Sequence, residues 1–148
     1  MGASAWDYYV PYRTDLNAAL LDLQARVLAE GTYYWAGGGA AFGEAKQFPN
    51  RPMTIDDLWA EEIVQSEGTH SILDMNRVVG PGEKPDFGTV EPVTPEEARR
   101  CAGTEVLTRE HVPLLDDLAD RRWFGRCAIL HDADGRPTEL YFFGFSGD

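Results

Sequence analysis

The sequence predicts an α+β fold: a mainly antiparallel sheet with a C-terminal β-hairpin, covered by three to four helices, in a single domain over residues 1–148. Three observations carry this. Leucine and valine recur at helical spacing between Leu16 and Leu28. Two apolar segments, near 126–131 and 138–145, flank the turn Asp132-Ala133-Asp134-Gly135. The helical patterns are interspersed with hairpin signals rather than alternating regularly with strands, which disfavours a parallel doubly wound sheet.

The elements follow in order. Trp6–Tyr12 is aromatic and β-prone, and Pro11 restricts it to a strand end or an edge. The next helix has Thr14 as expected cap and Gly31 just past its end. Leu16, Leu20, Leu23 and Val27 share one face, and Leu21 and Leu28 widen it. Thr32–Ala36 has strand character, whereas residues 36–52 lack periodicity and predict a long surface loop.

Thr54 caps a helix predicted over Ile55–Ser66, which Gly68 ends, and His70–Val79 is expected to be a strand. Gly80–Val93 is irregular, with prolines among glycines. Thr94-Pro95-Glu96-Glu97 then supplies a cap, a proline at the first helical position and a capping-box glutamate. A short helix from Pro113 to Arg122 precedes the terminal hairpin. Its Asp-Ala-Asp-Gly turn suits a type I turn with Gly135 left-handed, or a two-residue Asp-Gly turn, so the register is open by one.

Composition narrows the function. Of 148 residues, 43% are hydrophobic, enough for a folded core, and the formal net charge is −12. That balance opposes direct nucleic-acid binding, because phosphates attract Lys and Arg. No apolar run reaches the ~18 residues of a membrane span and no signal-peptide pattern begins the chain, so a soluble cytoplasmic protein is expected. Cys101 and Cys127 lack CxxC spacing and are expected to be reduced. His70, His111 and His131 lack metal-ligand spacing, so neither metal nor cofactor is expected.

No catalytic signature stands out. His70 and Asp74, on a strand, would lie roughly 13 Å apart, too far for a shared proton. The Gly37-Gly38-Gly39, Gly43, Lys46 run lacks the GxxxxGK[ST] spacing that cradles phosphate. No serine sits in a GxSxG context.

Three functional readings remain. In the first, the chain is a non-catalytic acidic binding protein, inhibitor- or immunity-like, that neutralises a basic protein partner. Its partner-binding residues are Asp116, Asp117 and Asp120, opposite Leu114, Leu115 and Leu118 on one helix, with Asp57 and Glu61 on an earlier one. In the second, it binds a small molecule or is a small enzyme. Glu62, near the centre of the stripe Ile55, Leu58, Trp59 and Ile63, would face a pocket beside the Gly37–Gly43 loop. Tyr34, Trp35 and Trp59 would line it, with Arg77 as cationic companion; the competing role for Glu62 is a structural ion pair. Self-association as a homodimer is a third option, since Leu140–Phe145 is apolar on both faces and would need a partner at a sheet edge.

Overall fold

The computed structural model describes residues 3–38 and 41–148. A five-stranded mixed sheet has the order β1-β7-β6-β5-β4, where β1 is Ala5–Pro11, β4 Arg77–Val78, β5 Thr89–Pro92, β6 Gly125–His131 and β7 Pro137–Phe145. The two long ladders, β1–β7 and β6–β7, are antiparallel, whereas β4–β5 and β5–β6 are parallel. Only β7 therefore opposes the common strand direction, so the sheet is mixed rather than mainly antiparallel. The departure arises in two stretches: β5 lies inside the proline-rich segment expected to be irregular, and only two residues of the expected His70–Val79 strand enter the sheet.

The hairpin forms as its sequence suggests. Asp132 accepts from Gly135 N–H through its carbonyl and from Asp134 and Arg136 N–H through its carboxylate, and Gly135 adopts φ 78°. A register shift between Leu130 and His131 absorbs the extra turn residue. Strand β7 is flanked on both sides and covered on both faces. The apolar segment that would have called for a second copy is thus buried within the chain.

Helices cover both faces. On one, α1 (Leu16–Glu30) packs with β1, β6 and β7 through Leu20, Leu23 and Val27 against Trp6, Val10, Leu140 and Phe142. Asp15, not Thr14, is its cap, accepting from Ala18 N–H; Gly31 ends it with left-handed φ 68°. Leu21 lies 59% exposed, outside the expected face. This layer also holds the hairpin of β2 (Tyr34–Gly38), which overlaps the strand expected over Thr32–Ala36, and β3 (Ala41–Glu44), where a loop was expected. Residues 39 and 40 of that glycine run lie outside the described residues.

The other face is covered by α4 (Pro95–Ala102) and a ten-residue 3₁₀ helix, Arg109–Leu118, packed on Ala128, Leu130, Tyr141 and Phe143. Helix α4 has its full capping box, with Thr94 and Glu97 bonded reciprocally. The second helix begins four residues before Pro113, capped by Thr108, and stops at Leu118 rather than Arg122.

The helix expected over Ile55–Ser66 is two: α2 (Ile55–Trp59), capped by Thr54, and α3 (Glu62–Glu67). This break raises the covering helices to five among the described residues, counting the Arg109–Leu118 helix. No helix among the described residues is long and apolar enough to cross a membrane.

One packing feature fixes two glycines. Trp6 is paired with Gly144, which is paired with Gly125, and the indole lies across both. A Cβ on Gly144 would stand 2.6 Å from the Trp6 ring and one on Gly125 2.9 Å from it. Gly144→Ala is therefore expected to destabilise the fold by about 2–3 kcal/mol through overpacking. Chemical denaturation of Gly144→Ala beside Gly135→Ala, where a Cβ meets open space but a left-handed backbone, separates crowding from backbone strain.

Candidate functional site

Alternation along β1 and β7 sets the site. Asp7 and Tyr9 on β1, and Glu139, Tyr141, Phe143 and Phe145 on β7, point to the face that carries the Arg109–Leu118 helix. The pairs Tyr9–Tyr141 and Asp7–Phe143 stand directly opposite one another. Tyr141 and Phe143 stack with centroids 5.0 Å apart and planes 20° apart, and Tyr9 meets Tyr141 at 4.8 Å.

The end of the Arg109–Leu118 helix overhangs this aromatic floor and leaves a groove of about 370 Å³. It is lined by Asp7, Asp116, Tyr141, Phe143 and Phe145, with Ala5, Trp6, Ala119 and Gly144. No Arg or Lys lines it among the described residues. Tyr141 is buried and donates its hydroxyl proton to Asp7 Oδ2 at 3.1 Å. Burial pushes its pKa above the ordinary phenol value, and the Asp7 and Asp116 charges push the same way. The groove thus has a negative potential over an apolar floor. Tyr141 and Phe143 are each 4% exposed and pack on one another, so what the groove presents outward is chiefly the Asp7 and Asp116 carboxylates.

Beside it, a second cleft of about 230 Å³ contains Glu91, Glu97, Asp117, Asp120, Arg100, Arg121 and Arg126. Buried Arg126 organises it. Its guanidinium bridges Glu97 and the main-chain carbonyls of Glu91, Leu118 and Pro92, and its Nε stands 3.5 Å from the Glu91 carboxylate. Arg121 covers the Phe124 ring and lies 3.7 Å from Asp120. Arg126 and Arg121 are thus engaged by the chain's own carboxylates and rings.

The other anticipated residues are distributed differently. Asp116, Asp117 and Asp120 gather on this face, between the two clefts. Asp57 and Glu61 belong to the α2–α3 layer on the opposite face, so the five do not form one surface. Because the chain breaks between α2 and α3, Glu61 turns inward, accepting from Trp35 Nε1 at 2.8 Å, while Glu62 is exposed.

Trp35 is 2% exposed, Trp59 donates to the Leu73 carbonyl at 3.0 Å, and Arg77 is tied to Glu83 at the β4 edge. Tyr34 stacks on His70 at 4.2 Å and lines a shallow groove with Gly43, which Trp35, Trp59, Glu62 and Arg77 do not line. The residues of the small-molecule reading are therefore not gathered around a common opening.

Sequence reasoning missed a buried polar network. Residues 69–75 form a turn with a short 3₁₀ segment, Ile72–Asp74, which brings Asp74 back towards Thr69. Asp74, 2% exposed, accepts from Thr69 N–H at 2.6 Å, Thr69 Oγ1 at 2.8 Å and Ser146 Oγ at 2.7 Å. His70 takes a left-handed φ of 54°, and its N–H donates to Ser146 Oγ. Its Nε2 stands 3.3 Å from Asp148, which also receives Ser4. Ser146 is fully buried and bonded to Asp74 rather than to the imidazole, so this is a structural tie and not a nucleophile–base pair.

Both cysteines are free; burial pushes the Cys127 thiol up to about 12. Comparison with known protein families, characterised proteins and solved structures finds no match for this chain.

Proposed function

We propose that this chain is a non-catalytic acidic binding protein, inhibitor- or immunity-like, that neutralises a basic protein partner. The surface that meets the partner is the one formed by β1, β7 and the end of the Arg109–Leu118 helix. The observation that carries this reading is the groove. Asp7 and Asp116 flank an aromatic floor that no cation of the chain lines among the described residues. Asp117 and Asp120 extend the negative rim towards the neighbouring cleft.

Such a surface suits association with a cationic protein more than chemistry on a substrate. Rim carboxylates accelerate encounter through long-range attraction, which salt screens over about 8 Å at physiological ionic strength. Half-buried Phe145 at the groove adds apolar contact that slows release once the surfaces meet. The small-molecule reading centred on Glu62 has less support, because Glu62 faces solvent away from its intended companions.

Immobilised chain exposed to a panel of purified basic proteins, cationic nucleases among them, tests the proposal. Retention is expected at low salt and loss at high salt. Replacing Asp116, Asp117 and Asp120 together by Asn is expected to abolish retention, whereas the same change at Asp56, Asp57 and Glu62 (to Gln) on the opposite layer leaves it intact. Equal loss in both variants, or no retention at any salt, overturns the proposal.

A further inference from the structure

Resting on that reading, we infer that the outer edge of β1 takes an extended cationic segment of the basic partner as a sixth strand of the sheet. The strand order leaves β1 at one edge of the five. Its ladder to β7 runs from Ala5 to Pro11 without a register shift. Just beyond that ladder, the Ser4 carbonyl accepts from Ser146 N–H and Tyr12 N–H donates to the Thr138 carbonyl. This register turns the backbone groups of Trp6, Tyr8 and Val10 towards β7. Those of Ala5, Asp7 and Tyr9 therefore point outward, and among the described residues no group of the chain bonds to these amides and carbonyls. Ala5, Asp7 and Tyr9 are all exposed.

The opposite edge is closed. Strand β4 has only two residues, and its Val78 N–H donates to Asn17 Oδ1 at 2.8 Å. Short strands and covered backbone groups are how a sheet protects an edge from pairing. Strand β1, with seven residues in regular register, instead offers a row of main-chain donors and acceptors, the template on which an added strand forms.

The flanks of the edge select the strand that fits. A segment laid along β1 sends successive side chains to opposite faces. On the face of the Arg109–Leu118 helix they meet Asp7 and the groove that Asp116 rims. On the α1 face they meet a groove of about 290 Å³ lined by Val10, Pro11 and Leu23, with the Arg13–Asp22 ion pair and Arg26 beside them. The first face suits a cation and the second an apolar side chain. A second copy of the chain is a poor occupant. Centred pairing of two β1 strands sets Asp7 against its own copy, and each chain carries a net charge of −12.

Nuclear magnetic resonance of the full chain with a peptide of alternating lysine and valine, matched to β1 in length, tests the inference. Amide exchange at Ala5, Asp7 and Tyr9 is expected to slow by about tenfold, while Trp6, Tyr8 and Val10, already bonded to β7, change little. A peptide of alternating glutamate and valine is expected not to bind. N-methylation of the lysine series or of the valine series, whichever faces β1, is expected to abolish binding. Tyr9→Pro removes one outward donor and none of the bonds to β7; it is expected to weaken the lysine peptide about tenfold, with folding verified by a circular dichroism melt. Unchanged exchange at the three amides, equal binding of the glutamate peptide, or retention of both methylated peptides overturns the inference. So does a dimer of the free chain in sedimentation that Tyr9→Pro dissociates, which assigns the edge to a second copy. If the basic proteins of the panel above are still retained, only this mode of docking falls; failure of the panel overturns the wider reading separately.

Discussion

Arg126→Ala is expected to lower the stability of the protein by about 4 kcal/mol, read from the urea midpoint at unchanged slope. The side chain is buried in the sheet face below α4 and donates to Glu97 and to three main-chain carbonyls. Removing it leaves those acceptors without their donor and two carboxylates, Glu91 and Glu97, facing one another without their cation. Arg126→Met fills the volume but restores no donor, and is expected to recover only a minor part of the loss.

The same node sets a pH dependence. Burial raises the Glu97 carboxyl, but the Arg126 hydrogen bond and the Thr94 N–H outweigh it and hold the group below its ordinary value of 4.5. A depressed folded-state value means stability that is complete above the unfolded value. That stability disappears as pH falls through the folded one. In Arg126→Met this acid-side decline is expected to flatten, which denaturation midpoints taken between neutral pH and pH ~3 would show.

Asp74→Ala is the second large effect, with an expected loss of about 3 kcal/mol. Thr69 N–H has no other acceptor in that pocket, and the Thr69 and Ser146 hydroxyls lose their shared anchor. Asp74→Asn is expected to remain within about 1 kcal/mol of the parent. Its carbonyl oxygen keeps both Thr69 bonds, while its amide donates to Ser146, whose own proton turns to the Glu67 carbonyl.

The charge has the opposite linkage sign to that of Glu97. Burial, only partly offset by Ser146 and Thr69, raises the Asp74 carboxyl. This contribution is fully present below the unfolded value of 3.8 and is lost as pH rises through the folded one. Asp74→Asn is therefore expected to steepen the decline of stability on acidification, since the compensating uptake of a proton is gone. A midpoint series for the two proteins checks this.

Local signals in the sequence located the elements whose chemistry is local. The Asp132–Gly135 turn, the Thr94 capping box and Gly31 at the end of α1 each act over a few residues, and each does what its type dictates. The Ile55–Ser66 pattern misled because its apolar residues satisfy a helical period on both sides of a break. The interruption at Ala60–Glu61 changes the phase, and with it the roles of Glu61 and Glu62. Likewise, His70 and Asp74 are far apart only on an extended strand; the left-handed His70 and the 3₁₀ turn after it fold the segment back.

The candidate site was partly legible. Asp116, Asp117 and Asp120 stood out as one sector of a helix, and they do line the clefts. Asp7, Tyr141, Phe143 and Phe145 did not, because their neighbourhood depends on β1 pairing with β7, which no short-range pattern specifies. The strict alternation of Asp7 and Tyr9 with buried Trp6 and Val10 was the available signal. It marks a strand with one mixed polar and aromatic face, but not the strand beside it.

That long-range pairing shapes how the molecule must assemble. The β6–β7 hairpin closes over a few residues, whereas the ladder beside it closes a circuit in which Ser4 and Asp148 are 144 positions apart. Loop closure of that length costs entropy before any contact compensates for it, so topology of this type folds slowly. The hairpin, with its local turn, can exist early, but the groove beside Asp7 and Asp116 cannot precede the docking of the first strand. Formation of the groove and completion of the sheet are consequently one event.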